Sequence, residues 1–507
     1  MKTGGLKVGA SNGSHPKMPV SAELNQGVAW FKEQFAGTVD FTMRSIRIAG
    51  HRGALMMVDN MTDKHNVADS VVKPLSAVSG TFTPEALWNH IKTEVLGSVD
   101  QSDVDDYSQA AYRAMSGFLL ILLDGVPKIL AVGIQSFPTR SVSDPSSETS
   151  LRGTKEALCE VLHLNMSMLR RRMKTPDLKF ETMQVGTVSQ TEVSLCYLKS
   201  RVSEEILKEI RRRLQIIEID ALLDSSYLIP FLEKDKKSFF TQVGLTERPD
   251  VACSKMNEGR VVIMVDGSPF VLIVPYLFYE NFQNADDYFF APFYALFMRT
   301  LRAISFVITI TLPAFYVAIG TFHQELFPDW VLYNVTKADA TTPFPLLVEA
   351  IFTYVVFEII REAGLRLPKA VGGTVSIVGG LVIGQAAVTA GLVGAPMVIV
   401  VALTAIGSFI IPSLYEPMSL LRLIFTIVGG FLGIYGIMIG LGVLGVNICS
   451  VNNYGLPYTS PLTPFRAKSW RDVLFRQSWR KLQSNRLLVQ DMPGREPIEP
   501  EDQQENG

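Results

Sequence analysis

Hydrophobic positions follow different patterns in the two halves of the chain, and the pattern changes near residue 300. Before it, short aliphatic runs alternate with amphipathic stretches such as residues 203–214. The first kind of run predicts β-strands and the second predicts helices, because the two structures repeat with different periods. After residue 300, long and nearly uncharged segments dominate, which predicts helices that cross a membrane.

Two segments of the first half share one pattern. Residues 117–134 read GFLLILLDGVPKILAVGI, and residues 259–276 read GRVVIMVDGSPFVLIVPY. In each, an Asp-Gly pair separates two apolar runs, which predicts a β-hairpin because the turn needs positive φ. The turn residues are Asp124, Gly125, Asp266 and Gly267. A strand followed by a helix recurs at nearly the same offset. We therefore expect two related α/β subdomains; a chance match of two common hairpins is the alternative.

Five segments of the second half are apolar and long, at about 303–321, 343–361, 371–393, 396–414 and 420–446. Arg299 and Arg302 precede the first segment, and a basic, aromatic tail follows Pro464. The positive-inside rule places both flanks in the cytosol. The number of crossings must then be even, so we expect 343–361 or 371–393 to be re-entrant, interfacial or broken.

The predicted fold class is an α/β soluble N-terminal half, with two related α/β subdomains, followed by an α-helical polytopic membrane domain. The expected ranges are a flexible leader at 1–34, subdomains at 35–150 and 151–290, a transmembrane domain at 291–450 with four to five embedded segments, and a basic cytosolic tail at 451–507. The N-terminus lacks the apolar stretch of a signal peptide. The soluble half and both termini are therefore expected in the cytosol.

Composition names no partner, because the 507-residue chain has a formal net charge of −2. The four cysteines and six histidines show no metal-ligand spacing. The arginine triplets at 170–172 and 211–213 lack interleaved aromatic residues, so we interpret them as solvated helix ends or intersubunit ion pairs rather than as a nucleic-acid site. No phosphate-binding or nucleophile motif is present. We therefore expect neither an enzyme nor a bound cofactor or metal.

Small residues recur at helical spacing in the segment 371–393. This small-residue seam consists of Gly373, Ser376, Gly380, Gly384, Ala387 and Gly391. Such a seam lets helix backbones approach closely. The same segment holds the candidates for lining a water-filled path, which are Val378, Val382, Gln385 and Thr389; plain helix packing is the alternative. A similar seam in the last segment, of Gly429, Gly433, Gly436 and Gly440, we interpret as helix packing.

The stretch 357–369 reads FEIIREAGLRLPK and precedes residues 370–415, which carry no formal charge. Glu358 and Arg361 are spaced i,i+3, and Glu362 and Arg366 are spaced i,i+4, so each pair can meet on a helix face. Such pairing lowers the cost of charge near lipid. The candidates for coupling the soluble half to the next segment are Glu349, Glu358, Arg361, Glu362, Arg366 and Lys369. An interfacial helix end is the alternative.

Five blocks together resemble the A subunits of the GerA-type spore germination receptors. They are LRRRMKTPDL at 169–178, ERPD at 247–250 with GRVVIMVDGSPF at 259–270, REAGLRLPK at 361–369, VSIVGGLVIGQAAV at 375–388, and YGLPYTSP at 454–461. The resemblance covers roughly residues 40–465. It implies a nutrient-gated ion channel in the inner membrane of bacterial endospores, formed by a homo-oligomer of this chain. The channel starts germination by releasing monovalent cations, and the helix after the RLPK block is expected to line its pore.

The resemblance also implies partners, namely a transporter-like B subunit and a lipoprotein C subunit, besides membrane lipid. The nutrient pocket is expected mainly in the B subunit. An accessory germination channel of the stage V sporulation AF type shares these blocks and is an alternative. A membrane transporter component is another, although the apolar segments show no repeat. A soluble ligand-binding module on a membrane anchor is the third.

Overall fold

The protein is described here from a computed structural model, which covers residues 18–97, 100–136, 145, 148, 150–234, 238–367, 380, 382–466, 469–474, 476–477 and 488–498. The chain divides into two compact units. Unit 1 comprises residues 1–232, 243–275 and 488–490, and unit 2 comprises residues 233–242, 276–487 and 491–507.

Unit 1 contains two similar series of elements, which differ in the number of helices between their second and third strands. The first series is α1 (Leu24–Gln34), β1 (Phe41–Ile48), β2 (His51–Val58), α2 (Lys64–Val67), α3 (Lys73–Ala77), α4 (Pro84–His90), β3 (Gln101–Val104), α5 (Tyr107–Ala114), β4 (Phe118–Leu123) and β5 (Ile129–Gly133). The second is α6 (Leu162–Arg172), β6 (Leu178–Val185), β7 (Thr191–Leu198), α7 (Glu204–Gln215), α8 (Ile229–Leu232), β8 (Gly244–Thr246), α9 (Pro249–Asn257), β9 (Val261–Val265) and β10 (Val271–Val274).

Each series forms a five-stranded antiparallel sheet. The strand orders are β1-β2-β4-β5-β3 and β6-β7-β9-β10-β8, so equivalent strands occupy equivalent places. Every residue of β4 is buried, because successive side chains point into separate apolar clusters on the two faces of the sheet. This explains why β4 is a continuous apolar run rather than an alternating one. The predicted fold of two related α/β subdomains is confirmed.

Both predicted hairpin turns are present, with Gly125 at φ +88° and Gly267 at φ +90°. The aspartate of each turn has a second contact. A carboxylate oxygen of Asp124 accepts the backbone N–H of Leu24 at 3.1 Å, and one of Asp266 accepts that of Leu162 at 3.0 Å. Each aspartate therefore satisfies a backbone donor at the start of the first helix of its own subdomain.

The first helix corrects the expected leader at 1–34. Helix α1 begins at Leu24 and buries Phe31 completely, and Phe35 and Phe41 stack on each other beside it with ring centroids 3.9 Å apart. Its apolar face is narrow, so the sequence pattern does not distinguish this helix from the residues before it. The first subdomain therefore begins before residue 24. Residues 1–17 lie outside the described part of the chain.

A buried ion pair joins the two subdomains of unit 1. The Arg170 guanidinium donates to both carboxylate oxygens of Asp40, each at 2.9 Å, and the two side chains are 1% and 5% exposed. Arg170 also donates to the carbonyl oxygens of Thr175 and Leu178. The expectation of a solvated helix end is therefore wrong for Arg170, because its charge is satisfied inside the protein.

Unit 2 is helical. Its helices are α10 (Pro292–Phe322), α11 (Asp329–Asp339), α12 (Leu346–Arg366), α13 (residues 382–389), α14 (Ala395–Phe409) and α15 (Tyr415–Ser450). Among the described residues, two stretches are long and apolar enough to cross a membrane, Pro292–Phe322 and Pro412–Ser450, with mean hydropathies of 2.0 and 2.2. These match the first and last of the five expected segments. The number of crossings remains a prediction.

Helix α15 reverses direction at Gly433, which has φ 63° and ψ −154°. A Cβ added at Gly440 would lie 3.0 Å from the ring of Phe425, and one at Gly436 would lie 3.1 Å from the carbonyl oxygen of Val428. Residues 425 and 440 of a continuous helix would be about 22 Å apart. Residues 415–432 and 434–450 therefore pack as an antiparallel helical hairpin, and the expected single last span is corrected to two halves.

The interpretation of the glycines in this last segment as helix-packing positions holds for Gly429 but not for Gly433. A Cβ at Gly429 would lie 2.7 Å from the carbonyl oxygen of Ala314 on α10, so Gly429 does permit close helix packing. Gly433 instead supplies a left-handed backbone conformation that side chains disfavour. A side chain at position 433 would therefore be strained in the hairpin.

Two arginines that precede the first apolar segment are buried near the start of α10. Arg299 is 0% exposed and pairs with Asp287 at 3.1 Å and with Asp472 of the tail at 3.0 Å. Arg302 also pairs with Asp287, at 2.7 Å. Part of the expected basic tail is therefore packed in unit 2, because its Asp472 binds the first long helix.

Candidate functional site

The carboxylate of Glu358 is the centre of a polar cluster between helices α12 and α15. Its oxygens accept hydrogen bonds from Arg361 Nε at 3.2 Å, from Arg422 Nη2 at 3.0 Å and from the hydroxyl of Tyr415 at 3.0 Å. We call Glu358, Arg361, Tyr415 and Arg422 the Glu358 cluster. The Arg422–Glu358 ion pair and the hydrogen bond from Tyr415 to Glu358 join α15 to α12, so the cluster fixes the two helices against each other.

Local sequence explains half of this cluster. Glu358 and Arg361 meet because α12 is helical through both positions, as their spacing predicts. The guanidinium of Arg361 also lies over the ring of Tyr415, 3.6 Å from its centroid. Such a stacked contact is favourable for a planar cation. The first residue of α15 is thus in contact with the last turns of α12.

Arg422 is the residue that sequence reasoning missed. Its side chain is 2% exposed, and its guanidinium lies 4.4 Å from the ring centroid of Tyr354. A signal was available, because an arginine inside an apolar segment requires a partner of opposite charge. The sequence gives no spacing that connects Arg422 with Glu358, since the two residues are 64 positions apart.

A small cavity adjoins Arg422 at the junction of α10, α12, α14 and α15. Its volume of about 10 Å³ corresponds to one water molecule. The lining residues are Pro313, Ala350, Ile351, Tyr354, Val401, Thr404, Arg422, Leu423 and Thr426. The four helices are therefore packed around the cluster with little free space.

The second predicted pair lies on the surface. Arg366 Nη2 and Glu362 Oε1 are 2.6 Å apart, with side chains 80% and 52% exposed. Exposed pairs of this kind contribute little to stability. Lys369, the other candidate of this stretch, lies outside the described residues.

Glu349 connects α12 with the loop that follows α13. It is 2% exposed, and its Oε1 accepts the backbone N–H of Gly394 at 2.8 Å. Gly394 is the N-cap of α14, where a carboxylate is favoured by the helix dipole. The start of α12 is therefore bound directly to the loop between α13 and α14.

The candidate pore residues that the structure describes lie on α13 and are exposed. Val382, Gln385 and Thr389 all have exposed side chains, and the Thr389 hydroxyl donates to the Gln385 carbonyl oxygen at 2.8 Å. A Cβ added at Gly380 or Gly384 would meet no described atom within 4 Å. This part of the small-residue seam therefore packs against nothing in the described chain.

The rest of the small-residue seam differs from the expectation. Ala387 is half-buried and packs against α10, α12 and α14 residues. Gly391 has φ +68° and lies in the turn after α13, so it is not part of a helical seam. The expected helix to residue 393 is corrected, because its helical part ends at 389. Gly373, Ser376 and Val378 lie outside the described residues.

The described residues also bear on ion and metal binding. Among them, no group of three or more histidine, cysteine, aspartate and glutamate side chains could hold a metal ion. The acidic side chains of the site, Glu349 and Glu358, are bound instead by a backbone amide and by arginines. The chemistry of this site is therefore charge pairing between helices.

Comparison with known proteins gives the family. Residues 29–487 match the family model described as the Bacillus/Clostridium GerA spore germination protein. The chain belongs to the GerA family. It is 39% identical over 466 residues to spore germination protein KA of Bacillus subtilis (strain 168), covering 91% of this chain and 85% of that one. It is 33% identical over 449 residues to spore germination protein GerLA of Bacillus cereus, covering 88% and 91%.

Two further matches are a membrane protein and a solved structure. The uncharacterized membrane protein YfkQ of Bacillus subtilis (strain 168) is 34% identical over 467 residues, covering 91% of this chain and 90% of that one. The crystallised N-terminal domain of the A subunit of the Bacillus megaterium spore germinant receptor GerK3 is 28% identical, with a TM-score of 0.40, and the match covers 52% of this chain and 99% of that one. The resemblance to germination receptor A subunits that the five sequence blocks carry is confirmed by the family match.

Proposed function

We propose that this GerA-family chain is the A subunit of a spore germination receptor, and that several copies form a nutrient-gated channel for monovalent cations in the spore inner membrane. The observation that carries the proposal is the exposed face of α13, with Val382, Gln385 and Thr389. Within the described residues, no other segment packs against this face.

The chemistry of that face supports an oligomer around a water-filled path. Placing an amide side chain such as that of Gln385 in lipid costs free energy, because hydrocarbon offers it no hydrogen bonds. Water in a pore would supply them. Gly380 and Gly384 leave open space beside the helix, which suits the close approach of a neighbouring copy.

Gating in this proposal starts from α12. The Glu358 cluster binds the C-terminal part of α12 to α15, and Glu349 binds its first turn to the loop before α14. A shift of α12 would change both contacts together. The proposed coupling residues are Glu349, Glu358, Arg361, Glu362, Arg366 and Lys369.

The remaining parts of the proposal concern location and partners. The two long apolar stretches, Pro292–Phe322 and Pro412–Ser450, support a membrane location. We propose cytosolic termini and assembly with a transporter-like B subunit and a lipoprotein C subunit. The nutrient pocket would then lie mainly in the B subunit, as the resemblance to germination receptors implies.

The test is cation release from spores after addition of nutrient. Replacing Gln385 by leucine removes the polar group and should slow potassium release, and Val382→Phe should slow it by narrowing the path. Val388→Ala, on the half-buried side of α13, is the matched control and should leave release unchanged. Receptor levels and cross-linked oligomers should be equal in all strains. Normal release from both Val382→Phe and Gln385→Leu spores would refute pore lining.

A further inference from the structure

Helix α11, Asp329–Asp339, was not expected from the sequence, and it has two distinct faces. Trp330 is 72% exposed and Tyr333 is 68% exposed. These residues are spaced i,i+3, and Lys337 follows Tyr333 by four, so the three side chains share one face of the helix. Two large aromatic rings and a lysine are therefore exposed side by side on this face.

The opposite face of α11 is anchored in unit 2. Val335 is 6% exposed, and a Cβ added at Gly394 would lie 3.1 Å from Cβ of Ala338. The helix is thus held against the loop that Glu349 also binds. Its outward face is a fixed surface rather than the side of a loose connection.

Neighbouring contacts place α11 near the C-terminal end of α10. Helix α10 ends at Phe322, and the N-cap of α11 is Pro328, six residues later. Helix α12, which follows α11, starts at Leu346. The Cδ1 atom of Leu346 would lie 2.6 Å from a Cβ added at Gly320, near the end of α10. The tip of the α15 hairpin lies at the same end. A Cβ at Gly433 would lie 3.3 Å from the Phe322 ring.

The tip of the hairpin adds further exposed aromatic residues. The rings of His323 and Tyr435 are 6.2 Å apart, and Tyr435 is 76% exposed. Phe431 is 71% exposed and Phe322 is 48% exposed. The C-terminal end of α10, the tip of the α15 hairpin and the outward face of α11 therefore carry exposed aromatic side chains at one end of the bundle.

We propose that Trp330, Tyr333 and Lys337 of α11 lie in the lipid headgroup layer, on the side of the bilayer where α10 ends. Tryptophan and tyrosine prefer this layer because their rings are apolar and their N–H and O–H groups need hydrogen bonds. The lysine ammonium can reach lipid phosphates while its carbon chain stays near the apolar region. This surface continues the apolar sides of α10 and α15, which favours lipid over a protein partner.

The experiment uses Trp330 as its own reporter. The full-length protein is reconstituted in phosphatidylcholine vesicles, and the emission of a Trp330→Phe variant is subtracted from that of the unaltered protein. Lipids brominated close to the glycerol should quench most of this difference signal. Lipids brominated deep in the acyl chain, or acrylamide in the water, should quench much less of it.

The matched control is Trp88→Phe. Trp88 is 4% exposed and lies in the apolar core of the first subdomain, so its difference signal should not respond to brominated lipid. Quenching of the Trp330 signal by acrylamide but not by lipid would overturn the inference, because the face would then be in water. Insensitivity to every quencher would overturn it as well, since a second copy would then cover the face.

The inference rests on the membrane location proposed above, and vesicle flotation separates the two failures. If the protein does not float with the vesicles, the membrane location is wrong. If it floats and Trp330 resists the shallow bromines, the membrane location stands and the assignment of α11 to the headgroup layer is wrong.

Discussion

Arg422 Nη2 lies 3.0 Å from Oε1 of Glu358, and this contact binds α15 to α12. Arg422 is almost fully buried, whereas Glu358 is 24% exposed and also holds Arg361 and Tyr415. A cation buried among apolar helices is stable only while its counter-charge is present. The carboxylate of Glu358 therefore controls the packing of both helices.

Replacement of Glu358 by glutamine should destabilise unit 2 strongly. It leaves Arg422 buried without an anion, which typically costs about 3–5 kcal/mol. The midpoint of thermal unfolding in detergent should fall, and nutrient-triggered cation release from spores should be impaired. The double variant Glu358→Gln/Arg422→Met should recover part of the lost stability, because it removes the uncompensated charge as well.

The control for this prediction is Glu362→Gln on the same helix. Its pair with Arg366 is exposed on both sides, so the loss should stay below about 1 kcal/mol. Equal losses from Glu358→Gln and Glu362→Gln would contradict the assignment of Glu358 as the centre of the cluster.

The fold of unit 1 could be predicted where local turn chemistry dictates it. The Asp-Gly turns at 124–125 and 266–267 fix two hairpins, and their likeness revealed the repeat. Helix α1 could not be predicted in the same way. Its buried face depends on Phe31 packing against the sheet, and that contact is made by residues distant in the sequence.

The site was predictable only within one helix. The spacing of Glu358 and Arg361 predicts their contact, whereas Arg422 enters from a helix 64 positions away. The reversal at Gly433 was hidden for another reason. A glycine in an apolar helix fits both close packing and a left-handed turn, so the sequence pattern is the same for the two structures.

The hairpin predicts a specific disulfide. Phe425 faces Gly440. Leu421 and Leu444 lie one helical turn further from the tip on the same faces, and both are buried in one apolar cluster. The double variant Leu421→Cys/Leu444→Cys should therefore form a disulfide on mild oxidation, which peptide mass spectrometry would detect. The control is Glu325→Cys/Leu444→Cys, because Glu325 lies near the hairpin tip, and it should not cross-link. A continuous helix would hold positions 421 and 444 about 35 Å apart and give no cross-link.

The joint between the subdomains of unit 1 should depend on Asp40. Asp40→Asn keeps the shape of the side chain but leaves the buried Arg170 cation without its anion, so the loss should be about 3–5 kcal/mol. Hydrogen exchange should accelerate at the amide of Val39, which donates to the Phe180 carbonyl oxygen across the joint at 3.1 Å. The control is Asp69→Asn, in an exposed pair with Lys73, and it should leave this exchange rate unchanged.

Lys179, at the same joint, should make stability depend on pH. Its ammonium is buried, donates to the Gln34 carbonyl oxygen at 2.8 Å and lies near the cations of Lys199 and Arg170. Burial first, and then these two charges, lower the pKa of Lys179 to about 8. In the unfolded chain a lysine has a pKa of about 10.4. Between these values the unfolded state binds more protons than the folded state, so the free energy of unfolding should increase as the pH rises through this window.

Urea unfolding of the full-length protein in detergent, measured at a series of pH values from neutral to alkaline, would detect this increase. Lys179→Met has no titrating group at the joint and should lose the increase between pH 8 and about 10.4. Lys73→Met, which removes an exposed ammonium from α3, should retain it. If Lys179→Met and the unaltered protein gain the same stability with pH, the proton responsible belongs to another group, and Lys179 is not desolvated at the joint.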